Sequence, residues 1–186
     1  MLGESQLNVY ILGADLTPRQ RERIQAQVQA ALRSLPPWAF QLVTRRITDL
    51  GVRNLPLVIE PQTDDSASPQ VLGLGHIGER PAVRLMPRLR EREVDWGQDQ
   101  RYLVAKAVAY LAAPEPKDSI FWSRWSEAVQ ADQLRSKARS IEEQWEETTD
   151  VGLLVEMFAA YALNPGHGRW SDFPCVKQFL DEWRQA

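Results

Sequence analysis

Few residues of this 186-residue chain combine a reactive side chain with a spacing that supports catalysis. His76, His167, Cys175 and Glu156 are the side chains that could bind a transition metal, but no pair of them has recognised ligand spacing. Cys175 follows Pro174 near the start of a predicted helix, a position where a thiol pKa can be lowered. Catalysis by this thiol would also need a nearby base, for which His167 is the candidate. The more common role of such a cysteine is that of a small, buried apolar residue. His167 is predicted to be a surface loop residue, and His76 a strand or turn residue.

A second motif is glycine-rich. The segment Gly73–Gly78 matches the G-x-G-x-x-G pattern of dinucleotide-binding loops. Dinucleotide binding by this motif requires a helix that begins at the last glycine, so that the N-terminal amides of the helix face the pyrophosphate. Here the β-like run Ala82–Met86 follows instead, so the motif predicts a glycine-rich strand and a hairpin turn, with no cofactor.

Composition and charge exclude several classes of protein. Apolar residues make up 44% of the chain and charged residues 25%, as in a folded single domain. The net charge is −3 and the arginines are scattered, which argues against a nucleic-acid partner. One cysteine permits no internal disulfide, and residues 1–6 lack the features of a signal peptide, so we expect a cytoplasmic protein. No apolar run approaches the roughly 20 residues that span a bilayer, so no membrane partner is expected.

The first half of the chain, residues 1–94, is predicted to form a small mixed β-sheet with one packed helix. Thr17 is a good N-cap, Pro18 suits the first helical position, and Gln20 completes a capping box. Apolar residues then recur at helical spacing until Pro36 and Pro37 end the helix. The predicted strands are Leu7–Leu12, Ala39–Ile47, Leu55–Glu60 and Ala82–Met86, with a polar loop over Gln62–Pro69.

The second half, residues 95–186, is predicted to be mostly helical. Its first helix is predicted over Asp95–Ala113. From Tyr102 to Ala113 nearly every residue is apolar or small and Lys106 is the only charged one, so this helix is expected at the centre of the fold. Another helix begins near Asp118 and has an aromatic-rich face, Ile120, Phe121, Trp122, Trp125, Ala128 and Val129, that is interpreted as core. The remaining predicted helices are Gln133–Glu147, whose glutamates form a solvated face, Val151–Leu163 and Pro174–Trp183.

Several segments resemble the anthrax lethal-factor-like zincin peptidases. The run Glu156–Pro165, followed by Phe173-Pro174 and a closing helix, is similar to the end of those domains. Asp118–Trp125 resembles their serine and tryptophan segment, and Leu35–Ala39 with the strands to Pro87 resembles the helix and sheet before the active site. The resemblance implies an α+β zincin-like fold over residues 1–186. It also implies that Glu156 occupies the position of the third zinc ligand, on a helix beside the metal-binding one.

The metal-binding helix itself departs from that family. A zincin needs two histidines one helical turn apart and a glutamate between them, and Arg101–Leu111 contains none of the three. The histidine positions fall either on Val104 and Val108 or on Ala105 and Ala109. In the second alignment Lys106 replaces the catalytic glutamate, and its ammonium is expected to pair with Glu156 where the metal would be.

The sequence therefore predicts a catalytically inactive, zincin-like pseudopeptidase with a protein-binding or regulatory role, whose expected partner is a protein or peptide. Its candidate surface is a vestigial cleft around Lys106, Tyr110, Glu156 and Tyr161, with no catalytic residue, no metal ligand and no cofactor. Two alternatives remain open. One is a hydrolase with a rebuilt metal site or with chemistry based on Cys175. The other is a structural or assembly protein whose contact surface uses exposed aromatics such as Trp96, Trp145 or Trp170.

Overall fold

The computed structural model describes residues 7–13, 15–62, 70–78, 80–90, 93–97, 99–134 and 149–185. The protein is of the α+β class, with a small mixed sheet and a helical second half. The strands are β1 (Leu7–Ile11), β2 (Leu55–Ile59), β3 (Gln70–Ile77), β4 (Arg80–Met86), β5 (Arg88–Leu89) and β6 (Val94–Asp95). The helices are α1 (Pro18–Ser34), α2 (Pro37–Leu50), α3 (Gln100–Ala112), α4 (Ser119–Ala131), α5 (Asp150–Leu163) and α6 (Pro174–Gln185), with a 3-10 turn at Gly168–Ser171.

Helix α1 begins as the sequence predicts. The Thr17 hydroxyl accepts a hydrogen bond from the Gln20 backbone N–H, and the Gln20 side chain accepts one from the Thr17 N–H, which completes the capping box. The buried positions Ile24, Val28, Ala31 and Leu32 lie on one face of the helix and join the core. Local sequence signals are therefore enough to place this helix.

The prediction of a strand over Ala39–Ile47 is wrong, because the segment belongs to helix α2. Pro37 occupies the first helical turn, and Gly51 ends the helix in the left-handed region at φ +63°. Between them the buried residues Ala39, Leu42, Val43 and Ile47 have helical spacing. The sheet of the first half therefore has two helices preceding β2 in the chain, where the sequence predicted one.

The four-stranded sheet has the order β1-β2-β4-β3, in which β1, β2 and β4 run parallel and β3 runs antiparallel to β4. The predicted strands beginning at Leu7, Leu55 and Ala82 are confirmed. Gly78, at φ +63°, follows β3 at the turn into β4, where a residue with a side chain would be strained. The glycine-rich motif is thus a strand and a turn, as predicted, and no helix opens on it.

Helix α3 is the central element of the fold. It contacts α1, α2, α5 and the strands β3 and β4, so it is surrounded on most sides. It begins at Gln100, capped by the carboxylate of Asp99, and not at Asp95 as predicted, because Val94–Asp95 pair with β5. From Leu103 onward only Lys106 and Tyr110 are not buried.

The helices of the second half pack through aromatic side chains. Phe121 of α4 contacts both Phe179 and Trp183 of α6, with ring centroids 5.2 and 5.3 Å apart, and Trp125 is fully buried. Ile120 was assigned to this buried face, but it is 75% exposed, because it lies in the first turn of α4 on the solvent side. Most of the predicted charged helix Gln133–Glu147 lies outside the described residues, as does the Gln62–Pro69 loop beyond Gln62.

No helix in the described part of the chain has the combination of length and apolar character needed to cross a bilayer.

Candidate functional site

The seam between helices α3 and α5 brings together three of the four predicted cleft residues. Tyr102, Lys106 and Tyr110 succeed one another at intervals of one helical turn along α3, and all three are partly exposed. On the facing helix, Glu156 and Ala160 are the partly exposed positions one turn apart. We call these five residues the α3–α5 seam.

Lys106 and Glu156 form an ion pair across this seam, as the sequence predicted. The Lys106 ammonium contacts Oε1 of Glu156, and the two side chains are only 15% and 22% exposed. The Tyr102 hydroxyl donates a 2.6 Å hydrogen bond to Oε2 of the same carboxylate. The ammonium also lies 5.8 Å from the centre of the Tyr102 ring. Both oxygens of Glu156 are therefore occupied by protein donors.

Tyr110 lies within the electrostatic reach of this cluster. Burial raises the pKa of its phenol, and the negative charge of Glu156 raises it further, because both effects disfavour the phenolate. Tyr110 is thus a neutral phenol at physiological pH.

Tyr161, the fourth predicted residue, belongs to a different environment. It is 1% exposed, and its ring packs against Trp38 and Trp170 at centroid distances of 5.8 and 5.5 Å. Its hydroxyl donates to Asp181 of α6, which also pairs with Lys177 at 2.6 Å. The structure therefore places Tyr161 in the core and not beside Lys106, since it follows Glu156 by five residues and so projects from another face of α5.

Burial first, and then the bond to Asp181, raise the pKa of Tyr161 to about 12. We expect the free energy of unfolding to decrease by roughly 1–3 kcal/mol between pH 10 and pH 12, since the unfolded tyrosine loses its proton near pH 10 while the folded one retains it. Urea unfolding across this range should show a shallower decrease in Tyr161→Phe than in the parent protein. The control Tyr10→Phe removes a phenol at an exposed position on β1, so the effect of losing a tyrosine hydroxyl elsewhere in the fold is measured separately. Equal slopes in all three proteins would contradict the assignment.

The residues required by a metal or cysteine enzyme are not gathered at one place in the described chain. His167 is exposed, and its Nδ1 accepts a 3.0 Å hydrogen bond from the Arg169 N–H, while His76 is exposed on β3. No group of three His, Cys, Asp or Glu side chains among the described residues has a geometry suited to a metal ion. The lowered thiol pKa considered for Cys175 is wrong, because its hydrogen bond to the Asp132 carboxylate raises that pKa, and partial burial adds to the effect.

Two of the three tryptophans considered for an assembly surface are buried. Trp96 donates from Nε1 to Gln27 at 3.2 Å, and Trp170 donates from Nε1 to the Asn164 carbonyl at 3.0 Å. Each is therefore a core residue with a satisfied polar edge, and Trp145 lies outside the described residues.

Sequence reasoning missed Tyr102 as a member of the site. Its signal was its position one turn before Lys106 on a helix that is otherwise apolar, which places both side chains on one face. Asp181 as the partner of Tyr161 had no comparable signal, since the contact joins residues on two separate helices.

The fold is thus an α+β domain with a mixed four-stranded sheet, and its candidate site is a tyrosine-flanked ion pair between two helices. Comparisons with protein-family models, with curated proteins and with solved structures found no match to this chain.

Proposed function

We propose that this chain is a non-catalytic, zincin-like domain whose α3–α5 seam binds a polypeptide partner. The observation that carries the proposal is the Lys106–Glu156 pair. Helix α3, which the sequence resemblance aligns with a metal-binding helix, packs beside α5, and the Lys106 ammonium of α3 pairs with the Glu156 carboxylate of α5. The chain's single cysteine, which permits no internal disulfide, supports a cytoplasmic location as part of the same proposal.

The side chains of the seam do not fit a zinc ion. Zinc in such a site is held by imidazole nitrogens and carboxylate oxygens, whereas α3 offers one ammonium and two phenols beside Glu156. The pKa of the Tyr110 phenol is raised, which opposes its ionisation to a metal ligand. A dication would also have to displace Lys106 and would be repelled by it. We therefore assign no catalytic step to this site.

The composition of the seam supports contact with a protein. Tyrosine is enriched at protein interfaces, because it offers a large apolar ring with a hydroxyl that can bond at the edge. Tyr102 and Tyr110 flank the ion pair, and Ala160 adds a small apolar position on the facing helix. Since Lys106 and Glu156 neutralise each other, the seam favours a segment that is mainly apolar and uncharged where it meets the pair.

Site-specific cross-linking tests the proposal directly. A photoreactive benzoylphenylalanine at Tyr110 is expected to join the seam to a discrete polypeptide in the source cells, whereas the same group at the exposed Tyr10 on β1 is not. A synthetic peptide of the cross-linked segment should then bind the purified protein. Tyr110→Ala should weaken binding by roughly tenfold, while Tyr10→Ala should leave it unchanged.

Two results would count against this function. One is identical cross-linking from Tyr110 and Tyr10, which would indicate nonspecific contact. The other is zinc-dependent peptide cleavage by the purified protein that Glu156→Gln abolishes, which would establish a metallopeptidase in place of a binding domain.

A further inference from the structure

A separate pocket of about 600 Å³ lies between helix α2, the α3–α4 loop and the aromatic side chains of α4 and α6. Leu42, Phe121 and Trp183 form part of its apolar wall, and Arg45, Arg46 and Glu115 are among its charged groups. Its volume falls in the range typical of small-molecule sites, which combine apolar walls with a few oriented polar groups. The pocket shares no residue with the α3–α5 seam, and it does not depend on the function proposed for that seam.

Some of the charged side chains around the pocket form ion pairs with each other, but Arg45 forms none with the described residues. Arg46 and Lys117 both contact the carboxylate of Glu115, at 3.4 and 2.6 Å. The hydrogen bond from Lys117 is the main reason that the pKa of Glu115 is lowered, so this carboxylate remains ionised and already has its cations. Arg45, by contrast, is half-buried and has no ion pair with any described residue. The pocket is therefore lined by an arginine whose charge has no ion-pair partner among the described residues.

The acidic residues of the pocket do not offset Arg45. Asp49 lies one helical turn further along α2, but it is exposed, and solvent screens its charge. Asp118 accepts a 3.1 Å hydrogen bond from the Phe121 N–H and caps the N-terminus of α4, so its charge is balanced by that helix end. The half-buried cation is thus the dominant uncompensated charge.

The walls of the pocket are held in place by contacts of their own. The Trp122 indole donates a 2.9 Å hydrogen bond to the Glu115 carbonyl, which ties the α3–α4 loop to α4. The rings of Phe121 and Trp183 meet edge to face, with centroids 5.3 Å apart and an interplanar angle of 69°. This aromatic corner needs little reorganisation to receive a flat apolar group.

We propose that this pocket binds a carboxylate attached to an aromatic or other apolar group. The carboxylate pairs with Arg45, whose planar guanidinium can donate two parallel hydrogen bonds, and the apolar group packs against Phe121 and Trp183. The ligand is either a small free acid or the C-terminal residue of a peptide, since both present the same carboxylate chemistry.

The test compares acids with their neutral amides. Phenylacetate and 3-phenylpropionate represent free acids, and acetyl-Ala-Ala-Phe with a free or amidated C-terminus represents a peptide end. Calorimetry should show roughly 10- to 100-fold tighter binding for each acid that fits than for its amide, because a charged hydrogen bond is lost in the amide. The Trp183 indole N–H, assigned by Trp183→Phe, should shift in NMR spectra on addition of the acid.

Arg45→Gln should remove this preference for the acid, while Arg19→Gln, at an exposed site on α1, should preserve it. Binding of the free acids alone identifies a small-molecule site, and tighter binding of the peptide acid identifies a chain-end site. The proposal is overturned if amides bind as well as acids, if Arg45→Gln retains the preference, or if no acid binds at millimolar concentration. Unchanged thermal unfolding of Arg45→Gln will show that any lost binding is not due to misfolding.

Discussion

Replacing Lys106 with methionine is expected to lower the free energy of unfolding by about 2–3 kcal/mol. Methionine retains the apolar stem of lysine but removes the ammonium, so the Glu156 carboxylate is left with only the Tyr102 hydroxyl as a donor. Both side chains of the pair are largely shielded from water, which makes the unpaired carboxylate costly. Urea denaturation at neutral pH measures the effect.

A double-mutant cycle separates the pair from simple loss of packing. Lys106→Met combined with Glu156→Gln should recover much of the lost stability, because no unpaired charge then remains between the helices. Arg124→Met is the matched control, since Arg124 and Glu182 form an ion pair that is about half-exposed and should contribute little. A Lys106→Met protein as stable as the parent would show that water solvates Glu156 freely, and it would remove the main support for the pseudopeptidase proposal.

Asp132→Ala is expected to lower the free energy of unfolding by about 2–3 kcal/mol as well. Asp132 is a buried carboxylate just after α4, and its two oxygens accept the backbone N–H groups of Cys175 and Val176 at 3.2 and 2.7 Å. Alanine would leave those amides without an acceptor and would remove the negative charge from the N-terminus of α6. The expected loss of stability therefore has two sources: α6 loses its N-terminal cap, and the hydrogen bonds that join the end of α4 to the start of α6 are lost.

Asp118→Ala provides the comparison for a helix cap at an exposed position, and it should cost only about 1 kcal/mol. Asp132→Ala should also make Cys175 react faster with iodoacetamide at mildly alkaline pH, because the group that raises its thiol pKa is gone. Equal losses of stability in the two variants, with unchanged Cys175 reactivity, would contradict the role assigned to Asp132.

Local sequence signals were sufficient to predict a helix where its start is fixed by hydrogen bonds between residues close in the chain, or where nearly all of its residues are apolar. The capping box at Thr17 and Gln20 placed the start of α1, and the almost wholly apolar run from Tyr102 predicted a central helix. Such signals failed at Ala39–Ile47. Its β-branched and aromatic residues favour a strand, yet Pro37, Gly51 and the spacing of the buried positions produce a helix.

The candidate site was likewise predicted only in part from the sequence. The sequence alone indicated Lys106 and Glu156 as partners, because the resemblance to zincins set their helices side by side and both charges needed compensation. It also assigned Tyr161 to that group, and the structure separates Tyr161 into a cluster with Asp181 and Trp38. Five residues along a helix correspond to a rotation that turns a side chain to another face, so proximity in sequence did not imply proximity in space.

The sequence by itself determined the α+β class, the lack of histidines on the central helix and the charges that had to be paired there, because these depend on composition and local periodicity. Only the tertiary structure decided that Tyr102 joins the Lys106–Glu156 pair, that Asp132 caps α6, and that Arg45 faces a pocket with an aromatic wall. Each of these contacts joins residues on different elements, and their distances are set by how the helices pack, which no local pattern encodes.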